Sequence, residues 1–159
     1  MADNLTASSA SSTMHTYLLY KESGGNWAKL VDIKDYPATG GSPERVATTT
    51  LSNEEETNVQ GVKSASGFEF LANYTVNDYK RVKNLEKSAQ VCDIAIAFGK
   101  PTGETGTKSY GSLGVFTWSG DVAVWLEGGG VNGVREMRVS TGKLTDVEFS
   151  ETPIVITEV

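Results

Sequence analysis

Chemistry in a folded chain needs reactive side chains held close together, and this sequence offers few of them. It has one histidine, His15, one cysteine, Cys92, and 20 carboxylate side chains among 159 residues. A single cysteine and a single histidine exclude an internal disulfide, a cysteine-histidine zinc cluster and an internal pair of redox thiols. His15 lies in a leading stretch rich in Ser, Ala and Thr, so neither a Ser-His-Asp nor a Cys-His arrangement can be assembled around it. In "QVCDIAIAF" Cys92 alternates in phase with Ile94, Ile96 and Phe98, the pattern of a buried, inert thiol. No spacing among the carboxylates singles out an acid and a base held in a cleft. The expectation is a protein that is not an enzyme, without catalytic, cofactor-binding or metal-binding residues.

Three glycine-rich stretches need separate treatment. "GGGVNG", residues 128–133, satisfies the letter of the dinucleotide-binding pattern through Gly128, Gly130 and Gly133. That pattern works only between a strand and a helix whose N-terminus holds phosphate, and here "VREMRVS" follows with strand character. The stretch therefore reads as a connection with a turn at Asn132-Gly133. "GKPTG" and "STGKL" contain Gly-Lys, but Ile94 and Met137 stand where a phosphate loop requires glycine.

With 38% apolar and 21% charged residues, the chain has the composition of a folded globular protein rather than a disordered or membrane-spanning one. No window approaches the ~18 continuous apolar residues of a membrane-spanning helix, which predicts a soluble chain with no membrane span. Residues 1–15 read as a flexible arm without the features of a secretory signal. The glycosylation sequons at Asn4 and Asn73 carry no weight outside a secreted context. The net charge of -6 argues against tight nucleic-acid binding, which needs cations to neutralise phosphates, but is compatible with nucleic acid passing nearby.

These residues must be positioned mostly by strands. "HTYLLYKE" and "WAKLVDI" predict a hairpin turning at "SGGN", followed by the long, polar loop "KDYPATGGSPE". Residues 44–51 predict a third, half-buried strand rich in threonine, which runs into Glu54, Glu55 and Glu56. "GFEFLANYT" alternates as a strand and gives way to one helix near 76–87, with Val76, Tyr79, Val82 and Leu85 at helical spacing and Thr75 as its cap. "QVCDIAIAF" is a further strand, and "GKPTGETGTKSYGS" a loop of breakers.

The last third predicts two hairpins, "LGVFTWSGDVAVWLEG" turning near Gly120 and "VREMRVSTGKLTDVEF" turning near Thr141-Gly142. The first would place Phe116, Trp118 and Trp125 on one face and Val115, Val122, Val124 and Leu126 on the other. Both faces would be apolar, so the second would need the helix or another subunit to cover it.

The series "LVDIKDYP", "SPERVATTTLSN", a glycine near residue 61 and an aromatic strand ending in "NY", within residues 27–74, resembles the major tail tube proteins of long, non-contractile-tailed bacteriophages. The resemblance covers about a third of the chain directly, and the element order extends it over most of residues 16–150. It implies a mainly β fold, a β-sandwich or barrel of two antiparallel sheets flanked by one α-helix, with six copies forming a ring and rings stacking into a hollow tube. The domain would run over 16–150, between the 1–15 arm and a C-terminal arm or strand at 151–159, without the additional immunoglobulin-like module of larger relatives.

The partners implied are further copies of the chain, a tape measure protein, a tail terminator and distal tail or initiator proteins, with DNA only in passage through the lumen. The location implied is the virion tail, after synthesis in the host cytoplasm. Subunit or ring contacts are expected at Tyr36, Pro37, Pro43, Glu44, Glu54, Glu55 and Glu56. The related tube protein of type VI secretion shares the ring, and the sequence separates it poorly. From a different class, a free-standing β-sandwich module would bind a carbohydrate or protein through "GKPTGETGTKSYGS", Tyr36 and Tyr110.

Overall fold

The structure is a computed structural model and describes residues 11–39, 43–52, 55–63, 67–104 and 106–157, with the backbone alone at 43, 44 and 61–63. In chain order the elements are β1 (Thr16–Lys21), β2 (Ala28–Val31), β3 (Pro43–Ala47), β4 (Asn58–Lys63), β5 (Phe68–Asn73), α1 (Val76–Ser88) and β6 (Cys92–Phe98). There follow β7 (Thr102–Glu104), β8 (Thr107–Tyr110), β9 (Val115–Gly120), β10 (Val122–Leu126), β11 (Glu136–Thr141), β12 (Glu148–Ser150) and β13 (Ile154–Thr157). The fold is mainly β, with several antiparallel sheets and one helix among the described residues, in agreement with the fold class expected from the sequence.

A five-stranded sheet in the order β12-β9-β6-β1-β2 faces a three-stranded sheet in the order β10-β11-β5. The main core lies between them. On the first sheet, Leu18 stands opposite Ile96, and Ile94 opposite both Tyr20 and Trp118. On the second, Val139 is flanked by Val124 and Phe70, and Met137 by Leu126 and Ala72. Trp118 joins the layers, edge-on to Phe68 at 4.8 Å and stacked on Phe70 at 6.3 Å, while its Nε1 donates to the buried Thr141 hydroxyl at 3.3 Å. That bond satisfies two polar groups which would otherwise cost stability once removed from water.

The opposite face of the five-stranded sheet is also dry. Leu19, Ala95, Ala97 and Val115 pack there under Tyr110, Ile154 and Ile156 from a third sheet, ordered β13-β8-β7. A strand buried on both faces reads as a continuous apolar run, which accounts for "CDIAIAF".

Helix α1 starts at Thr75, whose hydroxyl accepts from the Asp78 N–H, and ends at Ala89 in the left-handed conformation. It buries Val82 and Leu85 and packs along β10, while Val76, expected on the core stripe, is exposed at its first turn.

Several expectations are corrected. The β1–β2 hairpin forms, closed by Gly25 N–H to Glu22 O at 2.9 Å. The two later hairpins do not form, because β9 pairs with β6 and β12 while β10 pairs with β11 in the other sheet. The chain turns a corner of the sandwich at Gly120, where an added Cβ would lie 1.8 Å from the Gly142 carbonyl oxygen. Close backbone approach, rather than a turn conformation, is why glycine stands there. The puzzle of two apolar faces thereby resolves within the chain: Trp118, Val122 and Val124 enter the main core, Val115 enters the second, and Trp125 lies outside with its Nε1 on Glu127 at 3.0 Å. The "GKPTGETGTKSYGS" stretch contains strands β7 and β8, with Gly103 and Gly106 supplying positive φ.

The threonine-rich stretch also departs from its prediction. Its strand is shorter, Pro43–Ala47, and pairs only with β4 as a separate two-stranded hairpin. Residues 45–52 are exposed rather than half-buried, so "ERVATTTL" belongs to neither main sheet.

Candidate assembly surface

The contact residues expected from sequence fall in two places. Tyr36 and Pro37 lie against the body: Tyr36 sits edge-on to Phe98 at 5.4 Å, and the half-buried Pro37 accepts from the Thr39 hydroxyl at 3.0 Å. Pro43 opens β3 opposite Lys63, and Glu44 falls at an irregularity in the β3–β4 register. Glu55 and Glu56 are exposed in the connection between β3 and β4, and Glu54 lies outside the described residues. The structure therefore separates an anchored loop from a hairpin rather than gathering one site.

The hairpin has two different faces. Val46 opposes Val59, and Thr48 continues the ladder onto Thr57 through an N–H to O bond of 2.8 Å, so one face is β-branched. Arg45 opposes Gln60 and Ala47 opposes Asn58, so the other is largely polar. Val46 and Val59 are each about half exposed, and Leu51 near the turn is 109% exposed. Strand β4, "NVQGVK", escaped the sequence reading because glycine breaks a weak alternation. Its only signal was the need for a partner to β3.

Two sheet edges of the body, at β5 and at β2, are closed by the chain itself. Along β5, Leu71 O accepts from the Lys34 N–H at 2.7 Å, and the Leu71 N–H donates to Asp35 Oδ1 at 3.0 Å. Lys34 is held there by Glu136 at 2.8 Å. On the far edge of the five-stranded sheet, the Arg81 guanidinium donates to Leu30 O and pairs with Asp78 at 2.9 Å. Such seals keep a sheet edge from pairing with another chain. Beside β12 runs a row of aromatic rings, Tyr36, Phe98, Phe116 and Phe149, at centroid spacings of 5.4, 5.8 and 5.3 Å. Phe149 ends the row exposed to solvent.

An open groove of about 950 Å³ lies at the other end of β5, between the first turn of α1 and the loop joining β10 to β11. Val76, Leu126 and Val134 give it exposed apolar walls, and Arg135 stands at its margin. Glu127, also in the lining, is engaged by Arg138 at 3.0 Å and by Trp125. Nothing in this lining pairs a nucleophile with a base. Cys92 is fully buried, burial pushes its thiol pKa upward, and its reactivity is suppressed accordingly. Among the described residues no group of three His, Cys, Asp or Glu side chains is placed to hold a metal ion. Among them, too, no helix is long and apolar enough to cross a membrane.

No family model matches the chain, and no curated protein matches it. Among solved structures it is similar to a chain of the "anti-feeding prophage (AFP) baseplate, 6-fold symmetrised", determined by cryo-electron microscopy. The TM-score is 0.64 at 9% identity, covering 91% of this chain and 97% of that one. At that identity the likeness is one of fold, and it extends over nearly the whole of both chains.

Proposed function

We propose that the chain is a structural subunit of a phage-type tail, and more narrowly a tail tube protein that polymerises as stacked hexameric rings around a conduit for DNA. The observation that carries this reading is the β3–β4 hairpin. A two-stranded sheet alone is marginal in water, yet this one stands off the body with its β-branched face and Leu51 uncovered. Burial against another chain supplies the missing face. The likeness of fold to a chain in a six-fold baseplate supports a tail role, and the net charge of -6 suits a conduit through which phosphate slides without sticking.

In this role the protein performs no catalysis and its partners are copies of itself, joined in a virion by tape measure, terminator and initiator proteins. A free-standing binding module would leave the hairpin without a purpose.

Negative-stain electron microscopy of the purified protein over a concentration series, with light scattering on the same samples, tests the reading. Rings or hollow tubes with sixfold end views are expected. A monomer that persists after tape measure and initiator proteins are added would overturn it.

A further inference from the structure

The hairpin needs a receiver, and the groove at the Tyr74 end of β5 has the complementary character. Resting on the reading that copies of this chain assemble, we infer that the groove of one copy seats the hairpin turn of a second. Leu51 enters between Val76, Leu126 and Val134, and Glu55 and Glu56 meet Arg135.

Three observations lead there. Leu51 is the most exposed of the large apolar residues among those described, at the turn of a hairpin where a polar residue would serve as well, and the groove walls are themselves apolar and open. Burying matched apolar surfaces of this kind is the main favourable term in association.

The charges also match. Arg135 is exposed and, like Lys21, Arg45, Lys80, Lys87, Lys100 and Lys108, has no carboxylate partner among the described residues; of these cations it is the one that lines the groove. Glu55 and Glu56 are exposed and equally without a cation. Glu127 does not reverse the sign of the groove, because Arg138 already compensates it. A volume of about 950 Å³ accommodates a turn of several residues rather than one side chain.

Position supplies the third observation. The chain returns from the hairpin to the body at the Phe68 end of β5, and the groove lies at the Tyr74 end, roughly 20 Å away at ~3.3 Å per residue. Leu51 stays fully exposed, so a copy does not fill its own groove. Knob and socket at opposite ends of one strand permit a heterologous contact, which can repeat from copy to copy.

Cross-linking of the full-length chain tests this. Leu51→Cys and Val134→Cys are made separately, both at exposed positions, with Cys92 left buried, and treated with a short bismaleimide alone and mixed. Cross-linked dimers are expected in the mixture and not in either variant alone, and a ladder in the double variant. Arg135→Glu should cut the yield at least fivefold, and Glu55→Arg with Glu56→Arg should restore it.

Microscopy of the same samples separates this inference from the tube reading. Tubes with no Leu51–Val134 cross-link, or with a Leu51–Leu51 cross-link instead, would overturn the docking and leave the tube. A specific cross-link in open filaments without rings would uphold the docking and overturn the tube. A groove that takes only a different tail protein would appear as no cross-link between copies, and would overturn the docking as well.

Discussion

The sandwich body and the β3–β4 hairpin are built from the same kinds of residue and reach opposite results. In the body, Val122, Val124 and Val139 alternate inward and meet a second sheet, so each is nearly removed from water. In the hairpin, Val46 and Val59 alternate just as regularly, but they meet only each other across the two strands and stay about half exposed. Strand pattern alone therefore does not decide burial; the presence of a second layer does. The body carries its second layer in the chain, and on the proposed function the hairpin finds its second layer in another copy.

The sharpest way to break this comparison is to remove one member of it. Replacing residues 44–62 by an Asn-Gly turn should leave the thermal transition of the body within a few degrees, since none of the hairpin's described side chains joins either core, and abolish tube formation outright. Calorimetry and microscopy on one sample would check both halves. A body that fails to fold would show that the hairpin is part of the same cooperative unit.

Next in size is Trp118→Ala, expected to cost the body about 3–5 kcal/mol, because it opens a cavity against Phe68 and Phe70 and orphans the Thr141 hydroxyl. Urea unfolding with an unchanged slope would confirm the loss, whereas the complementary change Val46→Thr on the hairpin should scarcely move the midpoint. Thr75→Ala should cost about 1 kcal/mol by removing the cap of α1. Smallest is the paired change Glu55→Gln and Glu56→Gln. It should leave folding untouched and flatten the dependence of assembly on salt, as screened charges at a contact require. Light scattering between low and moderate salt would read it.

Much of the body was legible in the sequence, and for a simple reason. The β1–β2 hairpin, β5, α1 and β6 are specified by local periodicity and by nearby Gly or Thr, and they appear where those signals place them. The pairing of β9, β10, β11 and β12 was not legible, because Gly120 acts through Gly142, a contact that no local window contains. Of the candidate surface, Tyr36 and the acidic turn were singled out through the resemblance to tail tube proteins. The groove was invisible, since Val76, Leu126 and Val134 come from three separated stretches, and helical spacing had assigned Val76 to the core. The edge seals by Asp35 and Arg81 were equally hidden, as each depends on a backbone group brought close only by the fold.

The meeting of Gly120 with Gly142 has a mechanical side. At that corner the chain crosses from one sheet to the other as β9 leads into β10, and it returns close by between β11 and β12. A force that shears the two sheets is borne there by covalent backbone, and at the β2–β5 margin by the backbone pairing of residues 33 and 34 with β5. Under load the sandwich is clasped at both margins, and the hydrogen-bonded clasp at β2–β5 should release before the covalent one at those two glycines.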